Sequence, residues 1–178
     1  MSAQYGSTAR YAPLRVVLHW LSAIFILWAL VMGSYVSFLP ETAQLRVQVA
    51  QLNVALATMF IPLFAWRLWL RVRAEQPPSR GLGEHAAHWV HWLLYLVTGL
   101  VLVTGVLMMN RPIRIFDWLT LPQPLHDPTL LRGLMQVHGV SCAVLAGLIG
   151  LHVLAVIKHE LGGNRVLRRM GLRINRTL

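Results

Sequence analysis

Four long apolar segments separated by short polar stretches constrain the fold of this chain more than any other feature. They cover about residues 14–39, 44–72, 85–109 and 131–161. Each is longer than the roughly 20 residues that a helix needs to cross the hydrocarbon core of a bilayer. The chain is 56% hydrophobic and only 12% charged, too apolar for a soluble globule. We therefore predict an all-α integral membrane protein, a four-helix transmembrane bundle forming a single domain over residues 1–178.

The basic residues predict how this bundle is oriented, because cytoplasmic loops are enriched in Lys and Arg. With four spans, both termini lie on the same side as the loop between the second and third segments. That side holds twelve of the sixteen Lys and Arg residues, including those of the basic tail over residues 162–178. We therefore expect both termini to be cytoplasmic. This topology and anionic lipid headgroups explain the net charge of +10, and no nucleic-acid partner is expected.

The fourth segment carries two histidines, His138 and His152, in an otherwise apolar run. They are fourteen residues apart, so both project from nearly the same helix face, roughly 21 Å apart along the axis. His19, near the start of the first segment, matches His152 in depth from the cytoplasmic side. A buried neutral imidazole needs a partner, and ligation of a haem iron supplies one. We predict that His19 and His152 clamp one haem between them.

The other histidines are assigned different roles. His85, His88 and His91 recur every three residues near the cytoplasmic interface. We interpret them as supporting residues toward haem propionates or a quinone rather than as ligands. His126, in a loop, and His159, at a helix end, are expected to be solvated.

Other side chains are expected to have packing or surface roles. The arginines of WRLWLR, at the end of the second segment, are expected to contact lipid headgroups. Cys142, the single cysteine, is expected to be a small packing residue. The loop between the last two segments, with Trp118, is expected to lie on the membrane surface. Arg111 and Arg114 in that loop could attract a small anion, but anchoring of the loop is the preferred interpretation.

Six motifs, in their order and spacing, resemble the bacterial four-helix cytochromes b of the b-561 type. They are LHWLSA, WRLWLR, HWVHWLLYL, GVLMMNRP, MQVHGV and GLIGLH. The resemblance runs from about Tyr11 to Met170 and extends to the cytochrome b subunits of formate dehydrogenases and nickel-iron hydrogenases. It implies a multi-pass protein of the bacterial inner membrane that carries electrons on haem b.

The family usually holds two haems b, which the resemblance assigns to opposite sides of the membrane. His19 and His152 would ligate the iron of the cytoplasmic-side haem. His138 would ligate that of the external-side haem, together with a histidine of the second helix. At or close to that histidine position this chain has Asn53, and its second segment contains no histidine.

The departure at Asn53 leaves three outcomes open for the external side. Either a haem is held by His138 alone, or a His–Met pair forms with Met108 or Met109, or no external haem binds. An asparagine amide is a poor ligand for haem iron, whose usual protein ligands are His, Met, Cys and Tyr.

The resemblance also implies a function, namely exchange of electrons with a membrane quinone. Oxidation of superoxide at the external face would make the chain a quinone-linked oxidoreductase. The alternative is a cytochrome b anchor subunit that links a separate dehydrogenase or cytochrome c to quinone, and a haem-free structural or transport bundle is a third hypothesis. The expected partners are membrane lipid, a quinone, a redox partner protein and further copies of the chain.

Overall fold

The computed structural model describes residues 13–73 and 82–162, except for the side chains at positions 82–84 and 117. The helices in these ranges are α1 (Pro13–Phe38), α2 (Gln44–Val72), α3 (Leu82–Leu107) and α4 (Pro128–Leu161). All four are long and apolar enough to cross a membrane, which confirms the predicted bundle. Beyond Gly162, the predicted basic tail lies outside the described residues.

Capping places the start of α4 at Pro128, three residues earlier than expected. The Asp127 carboxylate accepts hydrogen bonds from the backbone N–H groups of Thr129, at 2.8 Å, and Leu130, at 3.4 Å. A cap of this kind contributes about 1 kcal/mol, and proline is well tolerated in a first helical turn. α3 also begins three residues earlier than expected and ends two residues earlier.

The loop between α3 and α4 forms a small antiparallel hairpin. Strand β1 (Ile113–Ile115) pairs with β2 (Leu119–Leu121), and a 3-10 turn over Phe116–Trp118 joins them. Ile113 is only 1% exposed, and β1 packs against α2. Trp118 is 94% exposed, as is typical of an aromatic side chain at a membrane interface. The hairpin therefore covers one end of the bundle.

Helices that are adjacent in sequence pack against each other in turn. The closest packing joins α3 to α4, followed by α1 with α2 and α2 with α3. α1 and α4 make few or no close backbone contacts with each other in the described part of the chain. α4 buries only Leu131, Ser141 and Leu145, so most of its apolar side chains face outward. This apolar exterior suits a lipid environment.

An aromatic layer lies between the two halves of the bundle. The rings of Phe25 and Phe60 stack with their centroids 4.3 Å apart. The ring centroid of Phe64 lies 6.2 Å from that of Phe60 and 6.0 Å from that of Tyr95. Phe60, Phe64 and Leu102 are buried and form the core. This layer separates the polar side chains near one end of the bundle from those near the other end, and we call these two interior regions compartments.

Polar residues lie on both sides of this layer at seven-residue intervals, about 10.5 Å along a helix axis. The positions are Asn53, Phe60 and Arg67 on α2 and His138, Leu145 and His152 on α4. Phe60 is 4% exposed and Leu145 is 2% exposed, so the middle position of each series is apolar and buried. Each series therefore offers one polar side chain to each compartment.

Candidate functional site

Two polar clusters lie inside the bundle, one on each side of the aromatic layer. The terminal-end cluster, where α1 begins and α4 ends, consists of His19, Arg67, His91 and His152. The hairpin-end cluster, on the side of the β-hairpin, consists of Thr104, His138 and Cys142, and Asn53 lies at a similar depth on α2. The terminal-end cluster draws one residue from each of the four helices.

Three imidazoles converge in the terminal-end cluster. The rings of His91 and His152 have their centroids 5.3 Å apart, with 59° between their planes. His19 lies within range of electrostatic repulsion from both His152 and His91. The structure thus brings together His19 and His152, whose depths match in the sequence. It also adds His91, which was predicted to lie near the interface with His85 and His88. Of these three residues of α3, His91 is the deepest in the bilayer, and that depth was a sequence signal for its place in the cluster.

Arg67 points into the bundle, so its predicted contact with lipid headgroups is wrong. Its Nη2 donates a hydrogen bond to Nδ1 of His19 at 2.9 Å, and its Cζ lies 5.3 Å from the centroid of the Tyr95 ring. Arginine remains protonated and can only donate, so Nδ1 of His19 accepts and Nε2 carries the proton. Arg71 also buries its Nε atom. The rotation of α2 that aims Phe60 at the core brings Arg67 to the same inner face.

In the hairpin-end cluster, both nitrogens of His138 have defined neighbours. Its Nδ1 lies 3.1 Å from the Thr104 hydroxyl oxygen, which itself donates to the carbonyl of Leu100 at 2.6 Å. Since the hydroxyl proton is used in that bond, Nδ1–H of His138 is the donor and Nε2 keeps its lone pair. Nε2 lies 3.5 Å from Sγ of Cys142, and a thiol is only a weak donor. The predicted packing residue Cys142 therefore contacts a candidate ligand atom.

Gly105 leaves the space that the His138 ring needs. A Cβ atom at position 105 would lie 3.1 Å from Cε1 of His138, closer than ordinary van der Waals contact. Gly105 and Thr104 therefore fix the imidazole against α3.

Asn53 lies on α2 beside α1, at a depth similar to that of His138 on α4. A Cβ atom added to Gly33 would lie 3.7 Å from Nδ2 of Asn53. Oδ1 of Asn53 is buried and has no hydrogen-bond partner among the described residues. A buried carbonyl oxygen without a partner is costly.

The remaining described histidines lie outside both clusters. Nε2 of His88 accepts a hydrogen bond from Nε1 of Trp92 at 2.9 Å. His85, His126 and His159 are exposed, in agreement with the solvated positions expected for the last two. On the hairpin side, Arg111 donates to the side chain of Asn110 at 3.4 Å.

Residues 13–73 and 82–162 contain no group of three or more His, Cys, Asp or Glu side chains that could hold a metal ion directly. The imidazoles of the two clusters could instead supply one or two axial ligands to a metal held mainly by another group. A porphyrin provides four equatorial nitrogens and leaves two axial positions for the protein.

A family model described as prokaryotic cytochrome b561 matches residues 10–172. The match includes all four helices and both polar clusters. Comparison with curated proteins gives no match.

Proposed function

The chain belongs to the prokaryotic cytochrome b561 family, and from that premise we propose how its residues hold haem and pass electrons to a partner. Members of the family are membrane electron-transfer proteins that bind haem b. In our proposal, His19 and His152 ligate one haem in the terminal-end cluster. The protein lies in the bacterial inner membrane with both termini in the cytoplasm, and it exchanges electrons with a membrane quinone.

The residues of the terminal-end cluster suit a haem with two axial histidines. The observation that carries the proposal is the convergence of imidazoles from α1, α3 and α4 inside an apolar bundle. His19 and His152 belong to the two helices that make few or no close contacts with each other. A flat apolar group between α1 and α4 would supply the packing that these helices lack.

Ligation changes the hydrogen bonding of His19. An axial histidine bonds the iron through Nε2, which leaves the proton on Nδ1. The guanidinium of Arg67 cannot donate to a protonated Nδ1, so in the haem-bound protein its 2.9 Å hydrogen bond with His19 would be lost. Arg67 would then pair with a carboxylate, as the haem propionates would provide. His91 stays beside His152, where it can hydrogen-bond to a propionate or to a quinone carbonyl.

When bound, haem supplies one-electron oxidation and reduction. The chain controls the free energy of that change. Burial between apolar helices penalises a net positive iron centre, and the charge of Arg67 disfavours the oxidised form further. Arg67 would thus act on the redox equilibrium from inside the bundle.

Replacing Arg67 with glutamine is expected to lower the midpoint potential of the terminal-end haem. Loss of one nearby positive charge favours the oxidised form, and we expect a decrease of about 60 mV, a tenfold shift of a one-electron equilibrium. An optical redox titration of the purified protein measures it. Arg73→Gln is the matched control, because Arg73 lies over the Trp69 ring at 4.4 Å, at the end of α2. Equal changes in the midpoint potential of both variants would show that the charge of Arg67 acts on the haem no more strongly than that of Arg73.

Anaerobic mixing of the oxidised protein with a soluble quinol tests the proposed function. A b-type absorption band should rise as the haem is reduced, and added quinone should reverse the change. Absence of any b-type band would overturn haem binding. A haem that dithionite reduces but quinol does not would overturn quinone exchange and favour the anchor subunit, whose electrons come through a partner protein. Superoxide can be supplied as the reductant in the same experiment.

A further inference from the structure

At the hairpin end, His138 is a strong candidate ligand, and Asn53, a partly buried residue at a similar depth, is a poor one. We propose that this end of the bundle holds a second haem through His138 alone and leaves an open axial position on the side of Asn53 for a small hydrogen-bond donor such as water. This inference rests on the haem binding proposed above. It gives the two clusters different chemistry, with a closed site for electron transfer at the terminal end and an open, ligand-binding site at the hairpin end.

His138 is already oriented as an axial ligand. Its Nδ1–H donates to the hydroxyl oxygen of Thr104, whose own proton is held by the carbonyl of Leu100. A hydrogen bond at Nδ1 fixes the tautomer in which Nε2 is the free base, and it also fixes the ring plane. The contact of Nε2 with the Cys142 thiol, at 3.5 Å, is weak and is displaced at little cost.

Asn53 is better suited to hydrogen-bond with a small molecule at the open position than to ligate the iron. Its amide is a poor donor to haem iron, but it can donate or accept a hydrogen bond. Its Oδ1 is buried and accepts no hydrogen bond from the described residues. A small molecule that donates a hydrogen bond to Oδ1, as water can, would remove that cost.

The depths of the two residues agree. Asn53 is nine residues from the start of α2, and His138 is ten residues from the start of α4. At 1.5 Å per residue they lie about 14 and 15 Å along their helices from the hairpin end. Gly33 lies next to Asn53 and Gly105 next to His138, so α1 and α3 each present a residue without a side chain at this level.

Met108 and Met109 are unsuited to closing the open position. A sixth ligand must approach from the side of the porphyrin opposite His138. Both methionines follow the end of α3, the helix that packs directly against the His138 ring through Thr104 and Gly105. They therefore lie nearer the hairpin end than the level of Thr104 and Gly105, against which the His138 ring packs.

Carbon monoxide tests the proposal, because it binds ferrous haem only where an axial position is open. We expect about two haems per chain, of which one shows a CO-induced change in its absorption spectrum. In Asn53→His the haem content should stay the same, and the CO response should fall at least tenfold as the new imidazole closes the site. Gln48→His is the matched control, since Gln48 is exposed on the same helix, and it should keep the full response.

The results that would overturn the proposal differ from those that would overturn haem binding itself. One haem per chain would mean that the hairpin-end cluster binds none. Two haems without a CO response would mean that another side chain completes the site. A CO response that persists in Asn53→His would place the open position at the other haem. A chain without any haem would instead refute the proposed function.

Discussion

Replacing His152 with alanine is expected to remove the terminal-end haem and to leave the hairpin-end haem in place. His152 is one of the two proposed axial ligands, and its neighbour His91 lies on α3, not across from α1. With one ligand lost, haem affinity should fall by several orders of magnitude, because the nearest imidazole, that of His91, projects from a different helix, with its ring centroid 5.3 Å from that of His152. A pyridine haemochromogen assay should give about half the haem of the parent chain.

His159→Ala is the matched control for this variant. His159 lies on the same helix, seven residues further along, and is exposed. Its removal should leave the haem content unchanged. Elution as a single species from a sizing column in detergent would show that both variants fold. Unchanged haem in a folded His152→Ala protein would refute the proposed ligand set.

Replacing Gly105 with valine is expected to abolish the hairpin-end haem. Even a Cβ at this position would lie 3.1 Å from Cε1 of His138, and the two further methyl groups of valine would overlap the ring. The imidazole must turn away, which breaks its hydrogen bond with Thr104 and moves Nε2 out of the compartment. We expect the haem content to fall by about half and the CO response to disappear with the lost haem.

The chain provides a close control for this substitution in Gly139. It follows His138 directly on α4, and a Cβ added there would meet no atom within 4 Å. Gly139→Val adds the same bulk to the outer surface of a helix, so haem content and CO binding should match the parent. If Gly105→Val retained both haems, the position of the His138 ring against α3 would not matter for binding. Equal losses in the two variants would point to general destabilisation.

The helices themselves were predictable because length and apolarity alone decide which segments can span a bilayer. The shared face of His138 and His152 followed in the same way from helix geometry. Local sequence signals could have located the helix ends more accurately, since Asp127 followed by Pro128 is typical of a helix start.

The rotation of the helices was not predictable, and the site depends on it. In water an apolar stripe shows which face of a helix is buried, but a helix in lipid is apolar on every side. Arg67 at the end of an apolar segment therefore looked like a headgroup contact, whereas it donates to His19. The Thr104–His138 contact joins residues 34 positions apart, and nothing local in the sequence indicates it.

The central claim is that this bundle has two unequal haem sites, one with two axial histidines and one with His138 alone. Electron paramagnetic resonance of the oxidised, purified protein tests it most directly, because the number of strong axial ligands sets the spin state of ferric haem. We expect a low-spin signal and a high-spin signal in equal amounts, with the high-spin signal becoming low-spin in Asn53→His. Two low-spin signals in the parent protein, or a single signal of either kind, would contradict the claim.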